Sequence, residues 1–296
     1  MNLLIFGLGY TGRAIAAAAI AAGHTVSATT RGAAADAPGV TLLPFNRAQT
    51  AIEAAEYIIA TAAPDEHGDP VLARYRAALE AAPSLRWLGY LSTTGVYGDA
   101  NGAWVDETTT PNPSAERTRR RVAAEWAWQR LTRSDAGALA EDAESDRALN
   151  IAVFRLAGIY GPGRSMFDDL RAGQGRHVVK PGHLFGRIHR DDIAMGVLAA
   201  MGRESNGIFN FSDDEPAVSA DVLAEAARLL GVEPPPPVPF ADAEKTMSAM
   251  ARSFWADNRK VSAEITKRKL GISWRYPSYR EGLRAILTAE SQPHLP

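Results

Sequence analysis

The 296-residue sequence contains no cysteine. That absence excludes disulfides, thiolate metal sites and thiol nucleophiles together. Long apolar runs are missing as well. A membrane-spanning helix needs about 18–20 apolar residues, whereas the longest bland stretch, Ala14–Ala22, is a short run of alanine and isoleucine. Glycine cuts off the opening Leu3–Phe6 at once, so the basic start and apolar stretch of a signal peptide are not found. The expectation is a soluble, cytoplasmic chain with no membrane partner. Charge of one sign is scarce too: 32 Lys+Arg against 34 Asp+Glu leaves a formal charge of −2. Nothing in that balance suggests a nucleic-acid partner, and one helical turn of arginine at 117–121 is no extended basic surface. No histidine clusters with carboxylates at metal-ligand spacing, so no metal site is expected.

What is present is ordinary globular material, 46% apolar and 22% charged. The length suits one large α/β domain carrying a smaller lobe. The chain opens as strand, glycine turn, helix, strand: Leu3–Phe6, then the alanine-rich Ile15–Ala22 ended by Gly23, then His24–Thr30. Further strands are predicted at Tyr57–Ala60, Trp87–Leu91 and Ile151–Leu156, separated by helix-length segments. Such alternation implies βαβ units: a Rossmann-type, doubly wound parallel sheet with helices on both faces. Ser134–Arg147 carries five acids against one base with no apolar periodicity and reads as an exposed loop. Pro234–Pro237 with Pro239 reads as a stiff connector.

Gly7-Leu8-Gly9-Tyr10-Thr11-Gly12 fits G-x-G-x-x-G directly after a strand and before a helix. In that setting the first glycine permits the tight turn. The second lets backbone approach a pyrophosphate, and the third lets helix and strand pack closely. The helix N-terminus supplies N–H donors and a partial positive charge. Gly7, Gly9, Tyr10, Thr11 and Gly12 are therefore candidate dinucleotide-binding residues, with Thr61 and Ala62 in the same set. An NAD site usually carries an acid about 20 residues beyond the glycines. This strand instead ends Ala28-Thr29-Thr30-Arg31. Arg31 can pair with a 2′-phosphate, helped by threonine hydroxyls such as that of Thr30. NADP is the expected cofactor, with NAD the alternative.

Three further motifs occur in order: Leu91-Ser92-Thr93-Thr94-Gly95-Val96-Tyr97-Gly98, Arg155-Leu156-Ala157-Gly158-Ile159-Tyr160-Gly161-Pro162-Gly163, and Arg187-Ile188-His189-Arg190-Asp191-Asp192-Ile193-Ala194. With them the chain resembles the extended short-chain dehydrogenase/reductases, the NAD-dependent epimerase/dehydratase family, and its ending at 274–283 resembles an atypical branch. The resemblance implies a dinucleotide-binding core over residues 1–160 and a smaller, mainly substrate-binding lobe over 161–296. About 187–212 return to the core, and the substrate lies between the two. It also implies nucleotide sugars or similar compounds as substrates.

Two departures stand out. The family's glycine turn is usually one residue longer. The family also uses Ser/Thr followed by Tyr-x-x-x-Lys, in which the tyrosine moves a proton and the lysine lowers its pKa and holds the nicotinamide ribose. Here Thr93 takes the Ser/Thr position. Anchoring the helix on Glu125 puts Arg117 where the tyrosine belongs and Arg121 where the lysine belongs. Arg117, Arg121, Ala124, Trp128 and Leu131 share one helical face, whereas Arg119 and Arg120 fall on solvated faces. An arginine stays charged near neutral pH and cannot serve as a general base. Arg121 suits a cofactor ribose or phosphate, and Arg117 suits a carboxylate or phosphate. The competing reading is a solvated basic face with ion pairs such as Arg121–Glu125.

Tyr97 is a candidate proton carrier beside Thr93. Tyr160 and His189 are candidate substrate contacts, with His189 near a helix start capped by Asp191 or Asp192. Two functions stay open: an NADP-dependent oxidoreductase or epimerase/dehydratase-like enzyme with a non-standard relay, and a non-catalytic dinucleotide-binding sensor or scaffold. The expected partner is a small molecule, with an anion suiting Arg117; a homodimer is the assembly considered.

Overall fold

The computed structural model describes residues 1–30, 32, 37–131 and 149–291. Arg31 and the acidic stretch Ser134–Arg147 lie outside the described residues. The chain divides into two compact units. The first comprises Met1–Thr93, Glu116–Arg155 and Ile193–Phe209; the second comprises Thr94–Ala115, Leu156–Asp192 and Asn210–Pro296.

The first unit is built on apolar strands buried on both faces, the pattern that favours parallel pairing under covering helices. β1 (Asn2–Phe6) is buried from Leu3 onward, and β4 (Tyr57–Ala60) is buried throughout. With β2 (Thr25–Thr30), β3 (Val40–Pro44) and β5 (Trp87–Thr93) they join Asn150–Leu156 and Gly207–Phe211 in a seven-stranded parallel sheet. The order is Gly207–Phe211, Asn150–Leu156, β5, β4, β1, β2, β3. The chain thus winds outward from β1 in both directions, and the order reverses between β1 and β4. In open α/β sheets, ligands bind outside the carboxyl ends of the strands at such a reversal.

β3 is absent from the sequence-based expectation. Its residues are half-exposed or exposed, so it lacks the buried-strand signature of its neighbours. The five strands expected from the sequence fall within two residues of their expected bounds. Helix α1 (Tyr10–Ala21) stops before Gly23, whose φ of +82° suits glycine. Helix α2 spans Gln49–Ala54. Helix α3 (Pro70–Glu80) starts on Asp69, whose Oδ1 accepts the Val71 and Leu72 N–H groups, with proline at the first helical position. Helix α4 (Glu116–Gln129) seals the core through Ala124 and Trp128.

The second unit contains short parallel strand pairs: Gly158–Tyr160 with Arg187–His189, Trp104–Val105 with Lys260–Val261, and Val178–Val179 with Val238–Pro239. The proline-rich segment therefore enters a strand pair at its end. Helices α5 (Met166–Arg171) and α7 (Ser219–Leu230) and the helix Tyr279–Ser291 enclose a core of Tyr160, Phe167, Val222, Ala226, Leu283 and Ile286. Helix α6 covers Arg190–Gly202. Asp192 does not cap its start. The carboxylate is fully buried and accepts the backbone N–H groups of Arg275 (2.6 Å) and Tyr276 (3.0 Å), tying that loop down.

Candidate functional site

The glycine turn lies at the β1/β4 reversal, and its three glycines differ physically. Gly7 has φ +102°, and a Cβ there would stand 2.6 Å from Thr61 Oγ1. That hydroxyl, just past β4, is 2.7 Å from Gly7 O and 3.1 Å from Phe6 O. Across the sheet, Thr29 Oγ1 accepts the Gly7 N–H at 3.2 Å. A Cβ on Gly12 would lie 2.3 Å from Gly7 O, so α1 packs against the turn at a distance only glycine allows. Gly9 is the opposite case. Its φ of −79° is ordinary, and a Cβ there would meet nothing within 4 Å. It caps α1 with no side-chain hydrogen bond, and the first turn carries no acid. The result is a rigid loop with open space in front of a helix N-terminus, where backbone N–H groups and the helix dipole favour an anion. Tyr10 and Thr11 form the first turn, with Thr11 buried. Thr61 and Ala62 supply the facing wall.

At the end of β2, Thr29 is buried and committed to the glycine turn, while the Thr30 hydroxyl donates to Gly32 O at 2.8 Å. At the end of β5, Thr93 is half-buried. Arg121 reaches the same strand. Its Nη1 donates to Leu91 O (2.6 Å) and to the Tyr90 hydroxyl (3.2 Å). Arg117 lies one turn earlier on the same side of α4 and is exposed. Arg119 and Arg120 pair with Glu116 at the surface.

Glu125 pairs with Arg155 rather than with Arg121. Arg155 Nη2 donates to Glu125 Oε2 at 2.8 Å and its Nε straddles both carboxylate oxygens; the Ser92 hydroxyl is 2.5 Å from Oε1. Both charged side chains are almost fully buried. A second buried chain runs from Asp69 Oδ2 to Trp128 Nε1 (3.0 Å), with the indole stacked on Tyr90. Burial pushes the Asp69 carboxyl above its ordinary range, partly offset by its N–H donors and by Arg121. Sequence reasoning missed Asp69 and the Glu125–Arg155 pairing, although Asp69-Pro70 is a readable helix start.

Within the second unit, the Tyr97 hydroxyl is 2.7 Å from Asn210 Oδ1, both residues being buried. The Tyr160 hydroxyl is 3.3 Å from Ser278 O, and burial followed by the Asp213 charge raises its pKa. His189 is buried, T-shaped to the Tyr160 ring and tilted against that of Tyr276, and its Nδ1 accepts the Asp191 N–H at 3.2 Å. Burial lowers its pKa to about 4, against the pull of Asp191, so the ring is neutral and Nε2 carries the proton. An unfolded histidine titrates near 6.5, so acidification from there protonates the unfolded chain first and removes stability. The cost of His189→Phe is therefore expected to shrink by about 2–3 kcal/mol between pH 7.5 and pH 4.5. Urea unfolding of both proteins at the two pH values checks this; a constant difference would mean that the ring titrates in the folded protein as in the unfolded chain. Among the described residues, no group of three histidine or acidic side chains could hold a metal, and no helix is long and apolar enough to cross a membrane.

No family model matches the chain. A 3-diazoavenalumate denitrifying reductase from Streptomyces is 31% identical over 137 residues, 44% of this chain and 45% of that protein. The chain thus matches under half the length of this curated relative. A functionally unknown conserved protein from Silicibacter pomeroyi DSS is 41% identical, with a TM-score of 0.87 over 97% of this chain and 98% of that one. A human epimerase family protein, solved with NADPH, is 18% identical with a TM-score of 0.74 over 99% of this chain and 100% of that one. The dTDP-glucose 4,6-dehydratase of Bacillus anthracis, solved with NAD, is 15% identical with a TM-score of 0.73 over 97% and 96%. The chain therefore belongs to one family with the Silicibacter pomeroyi protein and has the fold of the NAD-dependent epimerase/dehydratases, the extended short-chain dehydrogenase/reductases.

Proposed function

We propose that the chain is an NADP-dependent oxidoreductase or epimerase/dehydratase-like enzyme whose proton relay departs from the family's Tyr-x-x-x-Lys pair. The observation that carries this reading is the glycine cradle. Gly7 and Gly12 are held at distances that exclude a Cβ, while Gly9 faces open space at the end of α1. Such a cradle fits a pyrophosphate, and relatives in fold were solved with NADPH and with NAD. The nicotinamide, when bound, supplies hydride transfer. Gly9 and the first turn of α1 would hold the pyrophosphate, Arg31 and Thr30 the 2′-phosphate, and Arg121 the ribose side beside Thr93. Thr93 would orient the substrate oxygen, and Arg117 would contact an anionic substrate. A permanently charged arginine orients an anion but does not exchange the proton.

Calorimetric titration with NADPH and NADH tests the cofactor. Tighter NADPH binding is expected, and Arg31→Asp should weaken it by about 1.5–3 kcal/mol while sparing NADH. Equal affinities would remove the assignment. One observation favours the sensor reading: the Arg121 guanidinium is already committed to Leu91 O and the Tyr90 hydroxyl. Incubation with a metabolite extract and NADPH deuterated at the nicotinamide C4 separates the two readings. A reductase moves deuterium into a small molecule and a sensor does not; a redox-neutral epimerase or dehydratase shows itself instead by solvent-deuterium incorporation with NADP+ in D2O.

A further inference from the structure

The second unit holds a cavity of about 380 Å³, within the range of small-molecule pockets. Arg187 and Tyr279 both line it. Arg187 sits on the strand Arg187–His189, and its Nη1 donates to two carbonyls, Phe185 O at 3.0 Å and Ala217 O at 3.2 Å. Among the described residues its guanidinium makes no ion pair within 4.0 Å. The acids that act on it through space are Asp213 and, more weakly, Asp221. Burial lowers the arginine's pKa, the direction expected where negative charge is short. Asp213 accepts the Arg187 backbone N–H at 3.4 Å and makes no ion pair with its guanidinium. Arg187 is half-buried, and a cation partly withdrawn from water with no ion-pair partner gains from an anion that joins it.

Tyr279 is a second, independent sign. It is 1% exposed, and its hydroxyl is buried with no hydrogen-bond partner among the described residues. Buried hydroxyls are nearly always satisfied, and an orphan at a cavity wall marks a donor waiting for an acceptor. The remaining walls decide the ligand's body and charge. Ile159, Met166, Val222 and Leu283 are apolar. Asp168 and Asp169 also line the cavity; Asp168 is spent on the Ser165 N–H and hydroxyl, and burial raises Asp169. Arg164 lines the cavity too, so two arginines face two acids, and near-neutral walls favour a monoanion over a dianion such as a phosphate monoester. They tolerate a monoanion held at Arg187.

We propose that this cavity binds an organic monocarboxylate with an apolar body, its carboxylate paired with Arg187 and accepting from the Tyr279 hydroxyl. The proposal deepens the reading of an anionic small-molecule substrate, but it does not depend on the dinucleotide site. The test therefore uses the full chain without NADP(H), so that its failure is separate from failure of the cofactor assignment.

Cinnamate, the neutral cinnamamide and inorganic phosphate serve as probes in calorimetric titration. Cinnamate is expected to bind saturably, at least tenfold tighter than either other probe. Tyr279→Phe, which removes one oxygen atom, should weaken cinnamate several-fold. Val222→Phe, which fills the cavity, should abolish its binding. Arg187→Met should weaken it about 10- to 100-fold, the loss of a charge-assisted hydrogen bond. If Arg187→Met fails to fold because two carbonyls lose their donor, the Tyr279 and Val222 variants decide alone. Three results would overturn the proposal: no saturable cinnamate binding, equal binding of cinnamamide or phosphate, or cinnamate binding untouched by Tyr279→Phe and Val222→Phe.

Discussion

Glu125→Ala is expected to destabilise the protein by about 3–5 kcal/mol, the usual consequence of leaving one partner of a buried ion pair alone. Glu125 and Arg155 are 1% and 2% exposed, and the carboxylate takes two guanidinium nitrogens and the Ser92 hydroxyl. Removing the acid strands a guanidinium in the core and deprives Ser92 of its partner. The pair links α4 to Asn150–Leu156 and to β5, so the loss falls on the elements that carry Thr93 and Arg121. Urea unfolding should show a lower midpoint with an unchanged slope. The double variant Glu125→Leu with Arg155→Met should recover most of the loss, since apolar replacement of a buried pair is often neutral. A double-mutant cycle should also give a larger coupling of Glu125 to Arg155 than to Arg121. A loss under about 1 kcal/mol would show that solvent reaches the pair.

This pair illustrates what was legible in the sequence and what was not. The glycine turn could be read because each glycine's task is local: one turn, one open approach, one helix contact. The parallel sheet could be read because its central strands are continuous apolar runs. β3 escaped because its side chains are partly exposed and give no such run. Glu125 and Arg155 are 30 positions apart and meet only when α4 lies across the sheet, so helical spacing suggested Arg121 as the partner instead. Helical spacing did place Ala124, Trp128 and Leu131 in the core. It did not foresee that Arg117, on the same side, would be exposed in the first turn. Asp192 followed the same logic: its position suggested a cap, but the loop at Arg275–Tyr276 uses it. Arg187 and Tyr279 form a pair separated by 92 positions (279 − 187), and no local pattern in either segment announces the cavity between them.

Gly9→Val and Gly12→Val should separate binding from folding at the same turn. At Gly9 the backbone has ordinary φ, and a Cβ would meet nothing within 4 Å, so a side chain is accommodated by the folded protein. It would stand in front of the first turn of α1, where a pyrophosphate must approach the backbone N–H groups. Gly9→Val is therefore expected to leave the unfolding midpoint within about 0.5 kcal/mol of the parent, as for a substitution away from packing. Its affinity for NADPH should fall at least 100-fold, about 2.7 kcal/mol. At Gly12 a Cβ would lie 2.3 Å from Gly7 O, a backbone atom that cannot swing aside. Gly12→Val should push α1 off the turn, cost about 1–3 kcal/mol from overpacking, and lose the cofactor as a consequence. Thermal unfolding with calorimetry on both variants distinguishes the outcomes. A Gly9→Val protein that binds NADPH like the parent would place the dinucleotide elsewhere. A Gly12→Val protein of parental stability would mean that α1 can slide along β1, and that the tight helix–turn contact is not what fixes the cradle.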